Sequence, residues 1–191
     1  MFTSLLLTSL MQVAPAPAAP AAPAAAPAPQ PSTKVNEVRP RLWTSGLLTY
    51  ESLTGLKKLG VGTVLHLRPE KEAPSLPATE RVAVEGMGLR YIHSPVTPSF
   101  EDEEFDAFRK QMKGVDRDKG VLIHCFNGNR ASASLLTWFV LDEKMPLDQA
   151  LALAKKGGLT MIKAENAARF YISRNGGPAY VEQADPKPAA H

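Results

Sequence analysis

The chain has 191 residues, a formal net charge of +3 and a pI near 9.0, and its first charged residue is Lys34. Such a mild charge, without a basic run or a patch of interleaved aromatic residues, argues against nucleic acid as a partner. The single cysteine excludes an internal disulfide, a Cys-x-x-Cys redox pair and a zinc site made of several thiolates. The chain from Lys34 onward is long enough for one domain with a hydrophobic core.

Three terminal segments are predicted to lie outside this domain. Residues 1–18 begin with an apolar stretch that is too short to span a bilayer but fits the apolar region of a signal peptide. We therefore expect export to the periplasm or out of the cell, a cytoplasmic location if the stretch is not a signal, and no integral membrane span. Residues 19–34 are rich in alanine and proline, which favours an extended linker. Residues 179–191 are predicted to form a flexible tail.

Residues 35–178 alternate between short apolar runs and helical stripes, which predicts an α/β domain. In chain order the predicted elements are an edge strand at 41–44, a helix at 50–59, a strand at 63–67, a helix at 77–85, a strand at 89–92, a helix capped by Ser99, a strand beginning at Val121, and helices at 133–141, 147–156 and 163–174. Strands separated by helices imply a mainly parallel sheet of about four to five strands, flanked by helices on both faces.

The stretch from Val121 to Ser132, VLIHCFNGNRAS, carries the strongest chemical signal in the chain. An apolar strand ends on the only cysteine, Cys125, and a short polar loop leads into a long apolar helix. The backbone amides of such a loop and the N-terminus of the following helix form a site for an anion such as phosphate or sulfate. A thiolate is favoured in this setting, so Cys125 is predicted to be a nucleophile, and Arg130 offers a fork for two oxygens of a tetrahedral anion.

At these residues the sequence resembles the cysteine-dependent phosphatases, the protein-tyrosine and dual-specificity group. Their signature is His-Cys, five residues, Arg, then Ser or Thr, and four positions fit it: His124, Cys125, Gly128 and Ser132. The arginine differs, because four residues separate it from the cysteine and Ala131 holds the expected arginine position. That spacing is similar to a bacterial branch of small, often exported phosphatase-like proteins whose loop reads His-Cys, four residues, Arg-Ala-Ser. It also resembles the spacing in the rhodanese sulfurtransferases.

Three further segments are similar to the bacterial phosphatase-like branch. They are the Thr-Ser-Gly at residues 44–46, the segment GVGTVLHLRPE and the segment GLRYIHSPV, so that the resemblance covers roughly residues 38–174. It implies a cysteine-phosphatase-like fold, with the phosphate-binding loop at the C-terminal end of a strand.

The resemblance also implies roles for the residues of the loop. Cys125 would attack the phosphorus of a monoester, and water would hydrolyse the resulting cysteinyl-phosphate. The phosphate-binding residues would be Phe126, Asn127, Gly128, Asn129, Arg130 and Ala131. His124 would support the loop and favour the thiolate, and Ser132 would donate a hydrogen bond to the departing thiolate. Gly128 is expected because no side chain fits beside the bound anion, and the two asparagines are expected to hold the shape of the loop.

The family also needs a general acid that protonates the leaving oxygen, normally an Asp on an earlier loop. Thr97 stands at the nearest position in this chain. Asp102 is our first candidate and Glu101 the second, although both also suit the N-terminus of a helix. If neither acts, phenolic esters with good leaving groups will react and alkyl phosphates will not.

Three functions remain open from the sequence. The leading one is hydrolysis of phosphomonoesters, on a phosphorylated small molecule or a phosphoprotein. The second is sulfur transfer through a persulfide on Cys125, which the four-residue gap supports. The third is a catalytically weak module that binds anions. We expect no cofactor and no metal site, because His66 and His93 are interpreted as structural residues at the ends of strands.

Overall fold

The computed structural model describes residues 33–72 and 76–184. The predicted signal peptide and nearly all of the linker therefore lie outside the described residues, as does the tail from residue 185. Residues 179–184 still contact the domain, because Tyr180 packs against Phe170, and Asn166 and Gln183 exchange two hydrogen bonds of 2.9 Å. The boundary at residue 178 stays a prediction. No helix in the described parts of the chain is long and apolar enough to cross a membrane.

Five strands form one sheet, and six α-helices accompany it in the described residues. The strands are β1 (Val35–Arg39), β2 (Leu42–Ser45), β3 (Thr63–His66), β4 (Arg90–His93) and β5 (Val121–His124). The helices are α1 (Tyr50–Gly55), α2 (Leu76–Gly86), α3 (Asp102–Lys113), α4 (Asn129–Leu141), α5 (Leu147–Lys156) and α6 (Ile162–Arg174), and short 3-10 turns lie at Glu70–Glu72 and Arg117–Lys119. The predicted class, an α/β fold with a mainly parallel sheet, is confirmed.

The sheet has the order β1-β2-β5-β3-β4, and only the β1–β2 pair is antiparallel. Two predictions, one about the edge of the sheet and one about the start of α3, were wrong. The strand predicted at 41–44 is not an edge strand, because β1, which the sequence analysis missed, pairs along its outer side. Ser99 does not cap α3 either, since Glu101 is the capping residue and the carboxylate of Glu104 accepts its backbone N–H over 3.0 Å.

Apolar residues cover both faces of the sheet, because successive side chains of a strand point in opposite directions. Val121 and Ile123 of β5 belong to the larger core, which α3 to α6 complete. Leu122, between them, belongs to a smaller core that includes residues of α1 and α2. The central strand β5 is thus buried from both sides, and the loop that follows it starts from a rigid support.

Candidate active site

Cys125 lies directly after β5, at the C-terminal end of the central strand. The thiol is fully buried, and the backbone N–H of Gly128 donates a hydrogen bond to its Sγ over 3.2 Å. Four residues, Cys125 to Gly128, connect the strand to α4, whose first residue is Asn129. The predicted strand, tight loop and helix are confirmed, and the amide of Gly128 points at the sulfur.

Gly128 has a backbone conformation that favours glycine. Its φ of +91° lies in the left-handed region, where side chains other than glycine are strained. A methyl group added at this position would meet only the carbonyl oxygens of Gly157 and Gly158, at ordinary distances of 3.7 and 3.9 Å. The glycine therefore serves the turn of the backbone into α4, and its predicted role beside a bound anion stays a prediction.

The two asparagines fasten the loop to the segment before α6. The side-chain oxygen of Asn127 accepts the backbone N–H of Asn129 over 3.2 Å. The side-chain oxygen of Asn129 accepts the backbone N–H groups of Thr160 and Met161, over 2.8 and 2.7 Å. Their predicted role in holding the loop agrees with these bonds, because they tie the loop to itself and to the segment before α6.

The Thr-Ser-Gly segment at residues 44–46 forms the other support of the loop. The carbonyl of Ser45 accepts the backbone N–H of Cys125 over 3.2 Å, and the backbone of Gly46 pairs with that of Asn127. β2 pairs with β5 in parallel, and Gly46 and Asn127 form an isolated antiparallel bridge just past the ends of these strands. The Thr-Ser-Gly segment therefore holds the start of the loop at Cys125 and Asn127.

Arg130 lies in the first turn of α4, one turn behind the loop. Its Nη1 donates to Glu72 Oε1 over 2.6 Å and to the carbonyl of Val96 over 2.9 Å, and its Nη2 donates to Glu72 Oε2 over 2.8 Å. These bonds use three of the five N–H donors, all at the outer end of the guanidinium. The Nε–H and the second Nη2–H share the remaining edge, which is the geometry for gripping two oxygens of a phosphate.

Arg130 and Glu72 each stabilise the charged form of the other. Burial opposes the charge of Arg130, but the bonds with Glu72 and the proximity of Cys125 outweigh it and raise the pKa of the guanidinium. Burial likewise opposes the charge of Glu72, but Arg130, and then Arg68, hold the pKa of that carboxyl below its usual value. Glu72 is therefore ionised at neutral pH and cannot donate a proton to a leaving group.

The remaining predicted phosphate-binding residue, Ala131, lies in the first turn of α4 and is fully buried. The backbone amides of this turn have no partner within the helix and carry the positive end of its dipole. Ser132 follows, and in the described part of the chain its hydroxyl has no hydrogen-bond partner, so its predicted bond to the departing thiolate stays a prediction.

The structure does not bring Asp102, the first candidate for the general acid, to the site. Its carboxylate pairs with Arg174 over 2.5 Å on the surface, and it does not line the cavity above Cys125. Glu101, the second candidate, caps α3. The sequence prediction failed because acidic residues before a helix are usually there for the helix dipole, which is what both residues serve here.

His124 is directed away from the thiol, contrary to its predicted role. It lies on the face of β5 opposite Ile123, where its Nε2 bonds to Glu80 of α2 over 2.6 Å. His66, its neighbour in β3, also faces Glu80, with Nδ1 3.5 Å from the carboxylate and 2.9 Å from the hydroxyl of Tyr91. Burial opposes the charge of Glu80, but its bonds with His124 and His66 lower the pKa of Glu80 to about 2.

This histidine–glutamate cluster was not foreseen from the sequence. Among the described residues, His66, Glu80 and His124 are the group whose ligand atoms lie close enough to hold a metal ion, within 4.8 Å of one another. They are buried and bond to one another, so the cluster also accounts for a carboxylate in the core. The missing signal was Glu80, which the sequence places on an ordinary amphipathic helix.

A cavity of about 480 Å³ opens above the loop. Its lining combines four apolar residues with cationic, acidic and amide side chains: Pro98, Phe100, Phe126 and Met161, then Arg68, Arg130, Lys163, Glu72, Asn127 and Asn129. Phe126, predicted as a phosphate-binding residue, contributes its ring to this wall, with the guanidinium of Arg68 5.4 Å from the ring centroid. The cavity thus offers an apolar surface beside a cationic one.

The sequence was compared with protein families and with curated proteins. No protein-family model matches the chain. A beta-lactamase hydrolase-like protein from Xylella fastidiosa strain Temecula1 is 26% identical over 162 residues, which cover 78% of this chain and 37% of that protein. The chain therefore spans little more than a third of the length of that relative.

Solved structures resemble nearly the whole described domain. A phosphatase-like DUF442 protein from Shewanella putrefaciens CN-32 has a TM-score of 0.59 at 24% identity, over 74% of this chain and 93% of that chain. A phosphatase-like protein from Neisseria meningitidis z2491 has a TM-score of 0.57 at 25% identity, over 69% of this chain and 96% of that chain. The sheet, the loop around Cys125 and these neighbours show that the chain has the fold of the cysteine-dependent phosphatases.

Proposed function

We propose that this protein hydrolyses phosphomonoesters, with Cys125 as the nucleophile and Arg130 as the side chain that binds the phosphoryl oxygens. The observation that carries the proposal is the geometry of Arg130. Glu72 and Val96 fix its guanidinium beside a buried thiol and leave the Nε–Nη2 edge for an anion. Rigid donors directed at a charged transition state are the main source of catalysis in phosphoryl transfer.

The reaction proceeds in two steps. The thiolate of Cys125 attacks phosphorus in line with the ester bond, the S–P bond forms, and the P–O bond to the leaving group breaks with its electron pair on oxygen. Water then attacks the phosphorus of the cysteinyl-phosphate, and the sulfur leaves as the thiolate. The loop amides and Arg130 hold the three non-bridging oxygens through both steps.

The leaving group decides which esters react. Glu72 is the acidic residue in the cavity lining, and Arg130 keeps it ionised, so the departing oxygen receives no proton from it. Phenolic oxygens leave without protonation far more easily than alkoxides. The apolar wall that includes Phe100 and Phe126 also fits an aromatic ring.

We therefore expect kcat/KM for phenyl phosphate to exceed that for glycerol 3-phosphate by at least about a thousandfold, because general acid catalysis contributes roughly 10²–10⁴-fold where it exists. Phosphate release from both esters by the purified full chain measures the ratio. Asp102→Asn should leave the phenyl phosphate rate unchanged, since Asp102 faces Arg174. Similar rates on both esters would contradict the absence of an acid.

The experiment that tests the function compares the full chain with its Cys125→Ser variant. Wild type should release phosphate from phenyl phosphate at mildly acidic pH, and the variant should be slower by about 10⁴-fold or more, because a serine hydroxyl lacks an activating base. Sulfur transfer from thiosulfate to cyanide is measured in parallel. Phosphate release that survives in the variant would refute the proposal, and sulfur transfer without phosphate release would assign the protein to the sulfurtransferases instead.

A further inference from the structure

Arg68, which follows β3, is a buried arginine whose hydrogen-bonding capacity is largely unused. It is 9% exposed, and among the residues that the structure describes its Nε has no hydrogen-bond partner. Its Nη2 reaches the backbone carbonyl of Glu72 at a long 3.4 Å. A buried guanidinium normally satisfies its donors, since each unpaired donor costs free energy, so a ligand is the natural partner for this one.

The charge of Arg68 is also only partly compensated. Oε2 of Glu72 lies 2.8 Å from Nη2 of Arg130 and 3.6 Å from Nε of Arg68, so the two guanidiniums flank one carboxylate. Both short bonds of that carboxylate go to Arg130. One negative charge therefore serves two cations, and Arg68 has the longer of the two ion pairs. Lys163 adds a third cation to the same cavity.

The two arginines reach the cavity from different elements. Arg130 comes from α4, behind the loop, and its proximity to Cys125 contributes to its raised pKa. Arg68 follows the end of β3 and stacks against the ring of Phe126, and both side chains line the same cavity as Arg130. An anion held by Arg68 would thus lie in this cavity, at a different side chain from the one assigned to the phosphate at Cys125.

We propose that Arg68 forms a second anion subsite, so that the substrate carries another anionic group, a carboxylate or a phosphate, a few ångströms from the scissile phosphate. This inference rests on the proposed function, because it takes the first anion to be a phosphate ester at Cys125. The second anion would accept the unpaired Nε–H of Arg68 and balance its charge. The apolar lining, which includes Pro98, Phe100 and Met161, would contact the carbon skeleton that joins the two groups.

The test compares phenyl phosphate with 3-carboxyphenyl phosphate, whose phenols are similar leaving groups. Wild type should prefer the carboxylated ester by at least about tenfold in kcat/KM, the worth of one charge-assisted hydrogen bond. Arg68→Met should reduce that preference to about one. Arg81→Met is the matched control, because Arg81 also stacks on an aromatic ring, 5.2 Å from Tyr91, and pairs with Glu85, but it does not line the cavity.

Two results would overturn the subsite. One is equal kcat/KM for both esters in the wild type, a measurement that needs no variant. The other is a preference that persists in Arg68→Met, including the case in which both esters slow equally, which would place Arg68 on the scissile phosphate. If Arg68→Met fails to fold, Arg68→Lys replaces it. The ratio of kcat/KM for 3-carboxyphenyl phosphate to that for phenyl phosphate should then lie between one and the wild-type ratio.

Failure of the proposed function is distinguished by a binding measurement. If the wild type hydrolyses neither ester, the hydrolase proposal fails, and calorimetry with phenylphosphonate and 3-carboxyphenylphosphonate decides about the subsite alone. A preference for the carboxylated phosphonate of at least about tenfold, lost in Arg68→Met, would support the subsite. Equal affinities would refute it.

Discussion

Replacing Arg130 by lysine should lower kcat/KM for phenyl phosphate by about a thousandfold or more, since an ammonium cannot present two parallel donors to a phosphoryl group. Lysine keeps the positive charge beside Glu72, so the core should remain folded. The expected loss is therefore one of geometry, and it should fall mainly on kcat, because the phosphoryl charge to be held is greatest in the transition state. Steady-state kinetics together with thermal unfolding measure the two effects separately.

Arg39→Lys is the matched control for this substitution. Arg39 also grips a carboxylate with two bonds, of 2.7 and 2.6 Å to Glu143, but it does not line the active-site cavity. The kcat/KM of the Arg39→Lys variant should equal that of wild type.

Glu72→Gln should lower kcat/KM less than Arg130→Lys does, because the guanidinium remains but is held by weaker bonds. Wild-type activity in Arg130→Lys would show that Arg130 does not bind the phosphoryl group.

Much of the sheet is predictable from the sequence because buried parallel strands are short apolar runs. The strands predicted at 63–67, at 89–92 and from Val121 coincide with β3, β4 and β5 to within a residue or so. β1 escapes this pattern, since of its five residues only Val38 is buried and the rest of VNEVR is polar or half-exposed. Missing β1 also left β2 without its outer neighbour and made it look like an edge.

The local part of the site is predictable for the same reason that short motifs work. One stretch of six residues contains Cys125, both asparagines, Gly128 and Arg130, so the loop and the first turn of α4 bring them together. Their partners are distant in sequence. Glu72 lies 58 residues before Arg130, and Glu80 lies 44 residues before His124. A glutamate in a turn or on an amphipathic helix usually faces water, so nothing in the sequence marks these two.

His124 shows how a motif can be matched while its role differs. The period of two along a strand places His124 and Cys125 on opposite sides of β5. Two predicted features of the chain, the strand and the His-Cys pair, already implied this separation. The imidazole therefore supports the sheet from the α2 side through Glu80, and the thiol lies on the other side.

Protonating Glu80 should be the main acid-sensitive event in the stability of this protein. Its folded pKa, about 2, lies below the ordinary value of 4.5, so the carboxylate contributes stability that is complete above about pH 5 and is lost as the pH falls towards 2. The difference corresponds to about 3 kcal/mol of unfolding free energy. Burial holds the pKa of His66 below its usual value as well, so uptake of a proton by the unfolded chain adds to the loss below about pH 6.5.

Glu80→Gln separates this contribution from the rest. At neutral pH the variant should be about 3 kcal/mol less stable than wild type, because one partner of a buried charged network is gone. Below pH 4.5 its unfolding free energy should fall less steeply with pH than that of wild type, so that the two curves converge in acid. Urea denaturation followed by circular dichroism between pH 2.5 and 7.5 gives both curves.

Glu165→Gln is the control, since it removes another buried carboxylate, one bonded to Arg169. The unfolding free energy of this variant should fall below pH 4.5 as steeply as that of wild type. Parallel curves for wild type and Glu80→Gln would contradict the prediction. They would mean that the pKa of Glu80 is the same in the folded and unfolded protein, so that acid does not act through this cluster.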